Sequence, residues 1–256
     1  MEIIEKQLDD ADLAKRLDAL ALRHARASNA GMRLLNLIGG QTETLLDRLP
    51  PPARARLGEA TETALANAME VAHRSRGLVG DSPGWMSRAA TTAMGAAGGF
   101  GGLPTALAEL PMTTTVLLRA IQDVAVEYGF EPHEQGVRFD CVQVFAAAGP
   151  LENDDGADLA FLSTRIAVTG ATVQALIARV APRLATVLGQ KLAAQTIPVL
   201  GAAAGAATNY AYTSYYQQMA HVHFGLRRLA IDADRDHADL VMEFRRLSAL
   251  RAPRRG

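Results

Sequence analysis

Apolar residues recur every three or four positions along most of this chain, which is the spacing of one face of an α-helix. The clearest case is a predicted helix whose apolar face is formed by Leu107, Leu110, Thr114, Leu117, Ile121, Val124 and Tyr128. Pro111 lacks an amide donor, so we expect a kink at Glu109 and Leu110 and a long helix from Pro111 to Tyr128. Gly129 is expected to end this helix.

Other segments show the same helical spacing, and none alternates apolar and polar residues with the period of two that a strand requires. The sequence therefore predicts an all-α protein, a compact multi-helix bundle with two Gly/Ala-rich central helical segments. The further predicted helices are residues 5–30, a helix from about Pro52 to Gly77, one starting at Pro132 or His133, Leu159–Arg183, and a last helix capped by Asp232 or Asp234.

The two Gly/Ala-rich segments are nearly uncharged and cover residues 98–127 and 197–227. Glycines four positions apart, as in Gly201 and Gly205, allow a neighbouring backbone to approach closely if the segment is helical. Glycines and polar side chains make both segments poor spanning helices, which need about 20 predominantly apolar residues. We expect the two segments to pack together, either as core helices or as an apolar cavity or shallowly inserting hairpin.

The charge balance restricts the possible partners. The formal net charge is −1 over 256 residues, which argues against a nucleic-acid partner, because nucleic-acid-binding domains usually carry a basic surplus.

The single cysteine, Cys141, excludes an internal disulfide and fits a reducing compartment. The acidic, amphipathic N-terminus is unlike a secretory signal, so we expect a cytoplasmic protein.

Polar side chains within the apolar segments define a candidate polar core site. Glu109 is the one acid between Asp81 and Asp123, and a buried carboxylate must be paired, hydrogen-bonded or protonated. The candidate site comprises Glu109, Thr113, Arg119, Asn209, Tyr210, Gln217 and His221. Two interpretations remain open: a structural hydrogen-bond network, or a ligand or acid–base site centred on Glu109 and His221.

No metal or cofactor site is predicted. His221 and His223 are two positions apart, so on a helix they point in different directions and do not ligate one metal from one face. A metal site built from Glu109 and His221 stays a minor alternative. Cys141 has no adjacent base, and a G-x-S-x-G nucleophile turn is missing from the sequence.

Four of the five tyrosines fall close together, next to a basic pair. Tyrosine favours surfaces that are apolar on one side and wet on the other, and arginines attract anionic headgroups. The candidate lipid-facing residues are Tyr212, Tyr215, Tyr216, Arg227 and Arg228. The alternative is a packed, tyrosine-lined groove.

The segments Gly101–Gly129 and Ile197–Leu229 resemble the EcsC family of bacterial proteins, and the resemblance covers about residues 30 to 231. It implies an EcsC-like helical domain at 31–231. The helical patterns on either side add an N-terminal amphipathic helix at 1–30 and a C-terminal helix with a basic tail at 232–256. The resemblance also implies membrane association and support of a transport or secretion system more firmly than any reaction.

Together these observations predict a non-enzymatic helical protein of the cytoplasm that binds a membrane lipid or apolar ligand reversibly at the inner face of the membrane. Two alternatives stay open. One is an interaction module for a membrane transporter, and the other is a ligand- or metal-dependent enzyme centred on Glu109 and His221.

Overall fold

The computed structural model of the protein describes residues 8–37, 46–76, 86, 88–89, 92–93, 110–147, 159, 162, 173–195 and 201–251. These residues form seven α-helices and one short 3-10 turn, and they contain no strand, which confirms the predicted all-α class. The elements are α1 (Asp10–Leu37), the 3-10 turn (Leu46–Arg48), α2 (Pro51–Arg76), α3 (Leu110–Glu127), α4 (Gln135–Val144), α5 (Val173–Gln195), α6 (Gly201–Asp232) and α7 (His237–Arg251).

Helix α6 is the centre of the bundle, because it packs against α1, α3, α4, α5 and α7. Helix α2 covers α3 and α5 on another side. A helix surrounded in this way must be apolar nearly all round, which explains why α6 carries no Asp, Glu, Lys or Arg before Arg227. The packing of α3 on α6 confirms, for the described residues, that the two Gly/Ala-rich segments lie together.

Helix α3 begins and ends where the sequence indicates. Pro111 is its second residue, where a missing amide donor costs nothing, and Gly129 follows its end with a positive φ of 77°. The Phe130 amide donates to the Ala125 carbonyl at 3.0 Å, and the Gly129 amide donates to Val126 at 2.8 Å. This pair of bonds is a Schellman motif, and it fixes the positions of the aromatic residues on both sides of Gly129.

The turn between α6 and α7 corrects the predicted cap. Asp234 adopts a positive φ of 50° at the end of α6, where the Arg235 amide donates to the Ala230 carbonyl at 3.0 Å. The capping side chain of α7 is Asp236, whose Oδ1 accepts a 2.7 Å hydrogen bond from the Ala238 amide. Asp232 is the last residue of α6 and Asp234 lies in the turn after it, so neither residue caps α7.

Close packing of α5 depends on one glycine. A Cβ added at Gly189 would lie 2.5 Å from a methyl carbon of Leu57 on α2 and 2.6 Å from one of Leu46 in the 3-10 turn. The missing side chain lets these leucines reach the α5 backbone. The glycines at 98–102 of the first Gly/Ala-rich segment lie outside the described residues.

Candidate functional site: an arginine-lined pocket between α1 and α6

At the N-terminal end of α3, the predicted polar residue Thr113 contacts a buried lysine that the sequence did not single out. Lys191 of α5 is 1% exposed, and its Nζ donates to Thr113 Oγ1 at 3.4 Å. Thr113 is itself buried, which agrees with its prediction as a core polar residue. Glu109, the centre of the predicted site, lies outside the described residues.

The other members of the predicted polar site have separate partners. Arg119 Nε lies 3.2 Å from Asp123 Oδ1, one turn along α3, and Gln217 Oε1 accepts a 2.5 Å hydrogen bond from Arg88. Asn209 is buried on α6, while Tyr210 beside it is 51% exposed. Asn209 and His221 are twelve positions apart, which is about 18 Å along a helix that rises 1.5 Å per residue. The described members of the predicted site are therefore spread along α3 and α6.

His221 is held neutral by its surroundings. Burial, and to a lesser extent the positive charges of Arg23 and Arg88, together lower its pKa to about 4. Its Nε2 lies 3.9 Å from Glu127 Oε2, and its ring meets the ring of Tyr128 edge-on at 5.8 Å between centroids. His221 therefore lies beside the C-terminal end of α3, away from Thr113.

The predicted lipid-facing tyrosines are core residues, so this part of the prediction is wrong. Tyr212, Tyr215 and Tyr216 are 1%, 2% and 0% exposed. Tyr216 packs edge-on against Tyr215 at 5.5 Å and against Phe145, which directly follows α4, at 5.1 Å. The physical reason is the central place of α6, whose neighbours on several sides leave these positions no access to the surface.

The two predicted arginines have different roles. Arg227 forms an ion pair with Asp140 of α4 and lies over the Phe130 ring at 4.5 Å from its centroid. His223 Nε2 is 3.3 Å from the same carboxylate. These contacts attach α4 and the turn after α3 to α6. Arg228 instead reaches a pocket on the opposite side, toward α1.

This pocket has a volume of about 290 Å³ and lies between α1, α6 and the end of α3. Each of the two helices contributes residues spaced i, i+3 and i+4, so each presents one continuous face to the pocket. The lining residues are Arg16, Ala19, Leu20 and Arg23 from α1, Tyr128 after α3, and Gly225, Arg228 and Leu229 from α6.

Three guanidinium groups surround the pocket, and one carboxylate partly neutralises them. Asp232 Oδ1 lies 2.7 Å from Arg228 Nε, and Asp232 Oδ2 lies 3.6 Å from Arg16 Nη1. Arg23 is held differently, because its Nη1 donates to the neutral side chain of Gln218 at 2.8 Å. Among the described residues, the three lining arginines and their ion-pair partner Asp232 carry a formal surplus of two positive charges. Glu127, whose charge acts on Tyr128, is a further carboxylate near the pocket.

The floor of the pocket is apolar and carries one hydroxyl donor. Leu20 and Leu229 are buried beneath the arginines. Burial raises the pKa of Tyr128, although the charge of Arg23 acts in the opposite direction, so the phenol remains a protonated donor at neutral pH. A Cβ added at Gly225 would lie 2.8 Å from Leu20 Cδ2 and 3.3 Å from the Tyr128 hydroxyl. Gly225 therefore keeps this floor open.

Sequence reasoning found one arginine of this pocket and missed the other two. Arg16 and Arg23 are two turns apart on α1, with Leu20 between them on the same face, but charges of alternating sign along a helix are typical of a solvated surface. The partner of Arg23, Gln218, is 195 residues further along the chain. The spacing of these residues along α1 was the signal available in the sequence, and it does not show that α1 packs against α6.

Two properties of the described residues bear on the class of site. No helix within the described ranges combines the length and apolar character that crossing a bilayer requires. No group of three or more His, Cys, Asp or Glu side chains in that part of the chain is arranged to hold a metal ion.

The fold and the site define an all-helical bundle whose described part carries a basic pocket over an apolar floor. The sequence model of the EcsC protein family matches residues 78–229, more than half of the chain. The chain belongs to the EcsC family, as the resemblance of its two Gly/Ala-rich segments indicated. No curated protein and no solved structure matches it.

Proposed function

We propose that this EcsC-family protein associates reversibly with an anionic membrane surface in the cytoplasm, and that the pocket between α1 and α6 receives an anionic headgroup. The observation that supports the proposal most directly is the arrangement of Arg16, Arg23 and Arg228 around an apolar floor. A guanidinium group presents paired N–H donors that match the oxygens of a phosphate or carboxylate. A charged rim over an apolar floor suits a ligand that is itself amphiphilic.

The size and position of the pocket fit a headgroup. Its volume is at the lower end of the range of small-molecule sites, about 300–1,000 Å³. The Arg16 and Arg228 side chains are 54% and 38% exposed, so a ligand can reach them from the protein surface. Each arginine near an anionic membrane contributes about 1 kcal/mol to binding. The arginines therefore carry the membrane contact in this proposal, in place of the buried tyrosines.

Vesicle flotation tests the proposal. The protein is mixed with phosphatidylcholine vesicles or with vesicles containing phosphatidylglycerol, at low salt, and the floating fraction is measured. We expect flotation with the anionic vesicles. The double variant Arg23→Gln and Arg228→Gln should weaken binding about 30-fold, since two contacts of about 1 kcal/mol each are lost.

The matched control is Arg56→Gln, an exposed arginine of α2 outside the pocket. It should bind as the wild type does. Thermal melts of each variant establish that the fold is retained. If the wild type does not float with any anionic vesicle, or if Arg56→Gln loses as much binding as a pocket arginine does, the proposal is wrong.

A further inference from the structure

The three arginines of the pocket are not equivalent toward an incoming anion. Arg16 and Arg228 share the Asp232 carboxylate, whereas the hydrogen-bond acceptor of Arg23 is the neutral amide oxygen of Gln218. Among the described residues, an anion that approaches Arg23 has no ion-paired carboxylate to displace. This arginine is therefore the better anchor for a phosphate oxygen.

A surplus of two positive charges matches the charge of a phosphate monoester better than that of a phosphate diester. A phosphate monoester carries a charge of about −1.5 to −2 at neutral pH, because its second ionisation falls near pH 6. A phosphate diester carries one negative charge at the same pH, and it would leave one of the two positive charges without a counter-charge. The protonated Tyr128 hydroxyl adds a donor for a third phosphate oxygen.

We propose, on the basis of the membrane function above, that the pocket between α1 and α6 selects a phosphate monoester over a phosphate diester, with Arg23 and Arg228 binding the phosphate. The monoester belongs to a lipid whose whole headgroup is the phosphate, or to a soluble ester of the same chemistry. Asp232 limits the charge surplus of the three arginines to two, so it weakens the binding of either phosphate.

The role of Asp232 can be tested by one substitution, because competition with the ligand and positioning of the arginines predict opposite changes in anion affinity. Its carboxylate competes with the ligand for Arg16 and Arg228. Asp232→Asn keeps the shape of the side chain and removes this competition, so anion binding should become tighter. It should also raise the preference for the monoester, since a third positive charge attracts a dianion more strongly than a monoanion. Were Asp232 merely a positioning group for the arginines, the same substitution would weaken binding.

Flotation with two kinds of anionic vesicle tests the selectivity. Phosphatidylcholine vesicles contain either phosphatidic acid or phosphatidylglycerol, in proportions adjusted to equal surface charge by electrophoretic mobility. We expect binding to phosphatidic acid to be about fivefold tighter or more, as one additional charged contact of about 1 kcal/mol implies. Arg23→Gln should remove the preference, and Arg56→Gln should retain it. Glycerol 3-phosphate in solution should compete with the phosphatidic acid vesicles.

The possible results separate this inference from the membrane proposal. Equal binding to both vesicles at matched surface charge overturns the monoester selectivity and leaves membrane association standing. Saturable binding of glycerol 3-phosphate by calorimetry, lost in Arg23→Gln and seen without any flotation, supports the monoester and assigns it to a soluble source while overturning the membrane proposal. Failure to bind either vesicle or glycerol 3-phosphate overturns both.

Discussion

Burial of neutral His221 predicts that the bundle loses stability as the pH falls. The pKa of His221 is about 4 in the folded protein, against 6.5 for the free side chain. Between these two values the unfolded chain binds a proton that the folded protein does not bind. The free energy of unfolding is therefore at its full value above about pH 6.5, decreases as the pH falls toward 4, and loses nothing further from this group below that.

The magnitude follows from the same two pKa values. Lowering the pH from 7.5 to 5 should cost about 2 kcal/mol through His221 alone, and the full cost approaches about 3 kcal/mol near pH 4. Desolvation is the main cause of the lowered pKa, with Arg23 and Arg88 adding to it. The Glu127 carboxylate, 3.9 Å from Nε2, would stabilise the protonated ring, but it is about half exposed and therefore screened.

Urea denaturation at pH 7.5, 6 and 5 measures this contribution. The wild type is compared with His221→Gln, which cannot titrate, and with His133→Gln, which removes an exposed histidine in the turn before α4. Protonation of carboxylates is common to all three proteins and cancels in the differences. The wild type and His133→Gln should lose about 2 kcal/mol more than His221→Gln between pH 7.5 and 5. An equal pH dependence in His221→Gln would refute the reasoning.

Four further substitutions and one double variant test the packing of the bundle. Gly189→Ala should lower the free energy of unfolding by about 1–3 kcal/mol, because its Cβ would overlap two leucine side chains, whereas Gly58→Ala, which meets nothing within 4 Å, should raise it by about 0.5–1 kcal/mol. Denaturant midpoints that move in the same direction would contradict this. Gly129→Ala, at a φ of 77°, should cost about 1–2 kcal/mol in thermal unfolding, and a change near zero would mean that the turn adapts. Asp140→Asn should cost about 1–3 kcal/mol by removing the carboxylate partner of Arg227, and a double variant with Arg227→Gln should cost less than the sum of the two single changes.

Helices and their ends were predictable where local physics decides them. Pro111 and Gly129 mark the limits of α3 because a missing donor and a positive φ act within one turn of chain. The α7 cap was misplaced from Asp236 by two to four residues, since several acids in this turn satisfy the same local rule. The family and the packing of α3 on α6 also followed from the sequence.

The environments of individual side chains were not predictable in the same way. Four closely spaced tyrosines fit an interface or a core equally well, and the number of helices around α6 decided the question for Tyr212, Tyr215 and Tyr216. The pocket depends on α1 meeting α6, which no local pattern specifies. Lys191 shows the same limit, because a lysine on an amphipathic helix is normally exposed, and only its neighbours explain its burial.

Cys141 supplies a means of observing how this bundle opens. It is the single cysteine of the chain, it is 0% exposed, and it lies on α4, which packs against α3, α5 and α6. A thiol reagent can modify it only after these helices separate, so the rate of alkylation under native conditions reports the opening of the bundle centre. The protein thus carries an internal reporter of its own dynamics at one unique position, with no engineered label required.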